Sequence, residues 1–138
     1  MSNHPDLTKN QSLVFSALRD AEGPLSAYTI LDHLRSRGFR APLQVYRALE
    51  KLMAHGMVHR IESLNAFVAC AHDHPHMGES IAFAICQSCG GVTEFSDKVL
   101  KDHLVRWCLL NQFTAHTTTL EMRGLCSDCG GKDQQSTN

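Results

Sequence analysis

With 138 residues and a formal charge of −1, the chain is one ordinary domain or two small ones, able to bury a core only if its parts share one or pair with another chain. No apolar run approaches a membrane span, and the opening MSNHPDLTKNQ has neither the basic nor the apolar region of a secretory signal, so a cytoplasmic protein without membrane contact is expected. Six cysteines in a reducing compartment point to metal binding or redox chemistry rather than stapling disulfides, and nine histidines favour metal.

The charge is unevenly spread: between Arg35 and Arg60 six basic residues face only Glu50, a patch that suits an anionic partner. Along the chain, Asn10 to Ala21 repeats apolar residues at helical spacing and stops at Gly23-Pro24. Ser26 caps a second helix that ends at Gly38, and Ala41-Pro42 opens a third that runs to Gly56. The core stripe of the third helix is Val45, Ala48, Leu49, Leu52 and Met53. Gln44, Arg47 and Lys51 therefore lie opposite with Tyr46 at the flank, groups that read base edges and hold phosphates in a major groove. Met57–Glu62 and Ala66–Cys70 form a hairpin about Ser63-Leu64-Asn65. Three helices and a two-stranded wing describe a winged helix-turn-helix.

In the second half, Ile81–Cys86 and Val92–Phe95 read as strands, Ser96 as the cap of a helix through Gln112 that buries Leu100, Leu104 and Trp107, and Thr114–Leu125 as a returning strand. CQSCGG ends the first of these strands and CSDCGG follows the last. A redox Cys-X-X-Cys sets its first thiol at a helix N-terminus, a setting that neither pair is expected to have. Two glycine-backed knuckles can instead bring Cys86, Cys89, Cys126 and Cys129 to one tetrahedral point, a closed structural zinc site, with disulfides and a redox role as the alternatives.

Between the halves, Cys70-Ala71-His72-Asp73-His74-Pro75-His76 crowds a thiol, three imidazoles and a carboxylate into one link. His59 is expected roughly across the wing from Cys70, and Glu94 can reach from the second half. Ligands drawn from both halves would form a site in only one relative orientation, as a sensor requires, and sulfur among them favours zinc over iron or manganese. A loose histidine-rich metal buffer is the alternative.

The stretches LSAYTILDHL, QVYRALEKLMAHGMVHRIES, FVAC, AICQSCGGVTEF and RGLCSDC resemble the ferric uptake regulator family, most closely its zinc uptake branch. The resemblance implies an α+β protein with an N-terminal winged helix-turn-helix over residues 1–71, a His-rich hinge over 72–80, and a small α/β dimerisation and metal-binding domain over 81–138 with the four-cysteine zinc site. By position it implies Cys86, Cys89, Cys126 and Cys129 as structural zinc ligands. His59, Cys70, His76 and Glu94 are similar to a regulatory zinc site, His76 being the third ligand because the linker is longer than in many members, with His74 as the alternative. Tyr28, Tyr46 and Arg47 fall at DNA-contacting positions. The implied protein is a homodimeric, zinc-responsive repressor of zinc uptake genes, binding a double-stranded operator and two Zn2+ per subunit. It takes no small-molecule substrate other than the metal ion, and no residue constellation calls for an enzyme. An iron- or manganese-sensing relative, or a zinc-ribbon interaction module without sensing, is the alternative.

Overall fold

The computed structural model describes residues 6–70, 81–116 and 118–130. The chain forms two compact units, residues 1–77 and 78–138. The expected hinge, with His72, His74 and His76, lies outside the described residues. Among the described residues no helix is long and apolar enough to cross a membrane.

The N-terminal unit is built from α1 (Lys9–Asp20), α2 (Ala27–Leu34) and α3 (Pro42–Ala54), followed by β1 (Val58–Ile61) and β2 (Ala66–Ala69). Each helix begins where a local group takes up exposed backbone donors. Thr8 and Gln11 form a reciprocal capping box on α1, at 3.2 and 3.1 Å, which starts the helix one residue before the expected Asn10. Ser26 caps α2 through the Thr29 N–H at 3.1 Å. Pro42 occupies the first turn of α3, where its missing N–H costs nothing. After α2 the chain tightens into a 3-10 turn, Arg35–Arg37, and leaves it through Gly38 at φ 99°, a backbone conformation that glycine adopts without a Cβ clash.

Val14, Leu18, Ile30, Leu31, Val45, Leu49, Leu52, Val58 and Phe67 form one buried cluster that ties the three helices to the wing. β1 and β2 pair antiparallel, with Val58 opposite Ala69 and His59 opposite Val68. Leu25, before α2, adds a two-bond bridge to Phe67 (3.0 and 2.8 Å), so the wing is hydrogen-bonded into the bundle rather than hung from it. The reversal Glu62–Leu64 ends at Asn65 in the left-handed region (φ 48°, ψ 48°), which Asn tolerates better than most residues.

The C-terminal unit contains β3 (Ile81–Cys86), β4 (Val92–Phe95), α4 (Lys98–Leu110), β5 (Thr119–Gly124) and a single helical turn, α5 (Ser127–Gly130). Its sheet has the order β4-β3-β5, with β3 antiparallel to β4 and parallel to β5. A parallel pair needs a long crossover, which α4 supplies. The cap of α4 is Asp97, not Ser96: its carboxylate accepts from the Val99 and Leu100 N–H at 2.8 and 3.1 Å. β5 is shorter than the expected Thr114–Leu125, starting at Thr119.

The expected inner face of α4 is covered only in part. Leu100 and Leu104 are half-buried, whereas Trp107 is 55 % exposed and packs edge-on against Phe113 at 5.8 Å. Val99, Val105, Leu109 and Leu110 are exposed as well. Helical periodicity marks such residues as apolar-facing, but does not say whether their own chain covers them.

Candidate metal centre and nucleic-acid face

The two Cys-X-X-Cys pairs meet because β3 and β5 run parallel in register, Cys86 opposite Gly124. Both strands therefore end at the same edge of the sheet, and the knuckle after each starts there. All four Sγ atoms lie within 4.8 Å of one another, with Cys89 and Cys126 sulfurs 3.8 Å apart. A tetrahedral ion with metal–sulfur bonds of about 2.3 Å has sulfur–sulfur edges of about 3.8 Å. Backbone N–H groups already point at the sulfurs: Cys89 and Cys126 at Cys86 Sγ, and Gly91 at Cys89 Sγ, each at 3.4 Å. The second pair departs from expectation, since Cys126 immediately precedes α5 and its carbonyl accepts from Cys129 and Gly130. This single turn of helix spans the second knuckle itself and carries Cys129, and among the described residues no longer helix follows either pair.

The thiols divide their charge unevenly. Backbone hydrogen bonds from Cys89 and then Cys126 lower the pKa of Cys86 from 9.0 to about 6. Cys89 moves the other way: the Gly91 N–H lowers it, but the sulfurs of Cys86 and Cys126 outweigh that. At Cys129 a hydrogen bond with Ser88 lowers the value, yet the sulfurs of Cys126 and Cys86 push it up to about 12. Four thiolates so close repel one another, and a divalent cation at their centre reverses that repulsion by deprotonating its ligands outright. Spacing, edge length and donor chemistry all fit a tetrahedral thiolate-bound ion.

The second group of predicted ligands is split between the units. In the N-terminal unit the cross-strand partner of His59 is Val68, not Cys70. Cys70 is two residues further on, with its N–H bonded to Met57 O at 2.8 Å, so alternation returns it to the His59 face. The ligand atoms of His59 and Cys70 lie within 4.8 Å, and both residues are half-buried. In the C-terminal unit Glu94 stands in β4 opposite Phe83, also half-buried. His74 and His76 are outside the described residues.

The outward face of α3 is polar, as its inward face demands: with Val45, Ala48, Leu49 and Leu52 buried, Arg47, Glu50 and Lys51 are exposed and Tyr46 is 39 % exposed. Tyr28 projects from the start of α2, 64 % exposed beside buried Ala27. Gln44 is committed differently, its Oε1 accepting from the Arg40 and Ala41 N–H at 2.6 and 3.0 Å. It caps α3 from within through its carbonyl oxygen. A groove beside α3 is lined by Thr8, Asn10 and Gln11 on one side and Gln44, Arg47 and Lys51 on the other, with Ala48 and Glu50. Neither the Leu25 bridge nor the Gln44 cap was recognised in the sequence; Gln44 three residues after Ala41 was the available signal for the cap.

The chain is 34 % identical over 124 residues to the zinc uptake regulation protein of Escherichia coli (strain K12), covering 89 % of this chain and 72 % of that one. A Mycobacterium tuberculosis (strain CDC 1551 / Oshkosh) protein of the same name is 27 % identical over 127 residues, covering 88 and 92 %. Among solved structures, holo XcZur superposes with a TM-score of 0.83 at 39 % identity, covering 91 % of this chain and 86 % of that one. A zinc uptake regulator complexed with zinc and DNA gives 0.85 at 31 %, covering 94 and 86 %. The family described as "Ferric uptake regulator family" matches residues 6–123, a span that runs from the capping box of α1 to the last strand before the second knuckle, and the chain therefore belongs to that family.

Proposed function

We propose that the chain is a zinc-responsive transcriptional repressor that binds a double-stranded operator as a homodimer in the cytoplasm and controls zinc uptake genes. The observation that carries this reading is the likeness, over 94 % of the chain, to a regulator solved with both zinc and DNA. The winged unit would dock α3 in the major groove, with Arg47, Tyr46, Tyr28 and the Gln44 amide toward the bases and Lys51 toward phosphate. Arg35, Arg37 and Arg40 would add salt-dependent phosphate contacts. The exposed apolar residues of α4, Trp107 and Leu110 among them, suit burial against a second copy.

Two Zn2+ per subunit are assigned. Cys86, Cys89, Cys126 and Cys129 would hold a structural ion; with four thiolates and no open position, it would maintain shape. His59, Cys70, His76 and Glu94, with His74 as the alternative third ligand, would hold the regulatory ion. These ligands come from both sides of the proposed hinge, 72–80, and from the hinge itself, which joins the DNA-binding residues 1–71 to the dimerisation residues 81–138. Zinc would then favour the relative placement of the units that matches two half-sites, and by linkage DNA would tighten zinc binding by the same factor.

The test titrates duplex DNA against the protein in buffered free zinc, iron or manganese, with metal content measured on the same samples. Zinc should tighten binding, and Cys70→Ser should abolish that response while leaving one tightly held zinc per subunit. DNA affinity indifferent to all three metals would overturn the sensing role.

A further inference from the structure

The wing carries a guanidinium that stability does not explain. Arg60, in β1, donates from Nη2 to Asn65 Oδ1 at 3.0 Å and places Nη1 3.7 Å from Glu62 Oε2. The acceptor is aimed by backbone geometry, because Asn65 adopts the left-handed conformation that closes the reversal and its N–H bonds Glu62 O at 3.2 Å. The Arg60 side chain is still 44 % exposed and that of Glu62 65 %. An exposed pair at that separation contributes little to folding, about 0–1 kcal/mol. What the arrangement does achieve is an ordered fork of donors at the outer end of the wing.

The wing is also fixed with respect to α3. β1 begins four residues after α3 ends, Val58 and Ile61 are buried, and the Leu25–Phe67 bridge binds the second wing strand to the chain before α2. A helix lying in a major groove has a phosphate strand on either side of it. A rigid cation beside that helix meets one of those strands with its side-chain entropy already spent.

We infer that Arg60 is a phosphate-binding residue of the wing, positioned by Asn65 and held in the free protein by a loose ion pair with Glu62 that DNA phosphate displaces. The inference rests on the DNA-binding reading above and adds a contact outside α3. The exchange replaces a 3.7 Å carboxylate contact by a charge-assisted hydrogen bond, and a guanidinium can grip phosphate with two parallel donors.

The experiment measures affinity of the zinc-loaded protein for a duplex selected from a random pool, as a function of salt, for wild type, Arg60→Ala, Arg60→Lys, Glu62→Gln and the Arg60→Ala/Glu62→Gln pair. Arg60→Ala should weaken binding on the order of tenfold and flatten the slope of log K against log salt by about 0.9, one phosphate fewer. Arg60→Lys should keep the slope. Glu62→Gln should tighten binding on the order of threefold, and that gain should shrink when Arg60 is alanine. An unchanged affinity and slope for Arg60→Ala would overturn the phosphate contact, and an equal Glu62→Gln gain in both backgrounds would overturn the displaced ion pair. A wild type that binds no duplex with zinc present would instead refute the DNA-binding reading itself.

Discussion

Replacing Cys126 by serine should unfold the C-terminal unit and leave the N-terminal unit intact. Among the described residues, the apolar side chains fully buried in the C-terminal unit are Ala82, Phe83, Ile85 and Cys86. Burying Phe83 and Ile85 is worth about 1.5–3 kcal/mol each, so the two supply about 3–6 kcal/mol. A structural zinc at four thiolates contributes about 10–16 kcal/mol of apparent binding energy, several times as much. Removing one sulfur from a cage whose edge is 3.8 Å opens the tetrahedron and removes most of that term. The assay is simple because the chain has one tryptophan, Trp107, and it lies in α4. Emission from Trp107 follows the C-terminal unit, while far-ultraviolet circular dichroism retains the signal of α1–α3. Cys126→Ser should lose one zinc per subunit and the native Trp107 emission, while a cooperative helical transition persists. Native emission, an intact dimer and an unchanged melting transition in that variant would refute a structural role for the site.

Three further outcomes follow from named contacts. Leu49→Ala empties a position that is completely buried among Val14, Leu18, Ile30 and Leu31, and should destabilise the N-terminal unit by about 2–5 kcal/mol in chemical denaturation, without changing zinc content. Arg47→Ala should cost about 1–3 kcal/mol on a selected operator and much less on unrelated duplex, measured by competition binding. Trp107→Lys places a charge in the exposed apolar set of α4 and should shift the protein toward monomer in sedimentation.

The local elements were legible wherever a single residue type decides the backbone. Ser26 and Pro42 announce the starts of α2 and α3 because a hydroxyl cap and a fixed φ act within one turn. The four cysteines were legible as a group because few other arrangements use two glycine-backed knuckles, and their Sγ atoms do converge. Features that depend on pairing were not. The cross-strand partner of His59 is Val68, two positions short of Cys70, since register is set by the Asn65 reversal and the buried faces rather than by counting. Leu25 has no strand signature of its own and is extended only because Phe67 offers it two hydrogen bonds. Trp107 looked like core because periodicity marks a face without saying what covers it. Asp97 displaced Ser96 as the α4 cap by one residue, an ambiguity inherent when two good capping residues are adjacent.

The parallel pairing of β3 with β5 also orders events in time. Cys86 and Cys126 are forty positions apart in the chain (126 − 86) and become neighbours only after a complete crossover has been threaded back across the sheet. Non-local pairing of that kind is slow compared with closing a helix or a hairpin. Until it happens, each Cys-X-X-Cys can offer an ion only two sulfurs, a weak and exchangeable hold. Tight capture of the proposed structural ion would therefore come late in folding, and the rate at which fresh protein acquires non-exchangeable zinc would read out when β5 has docked.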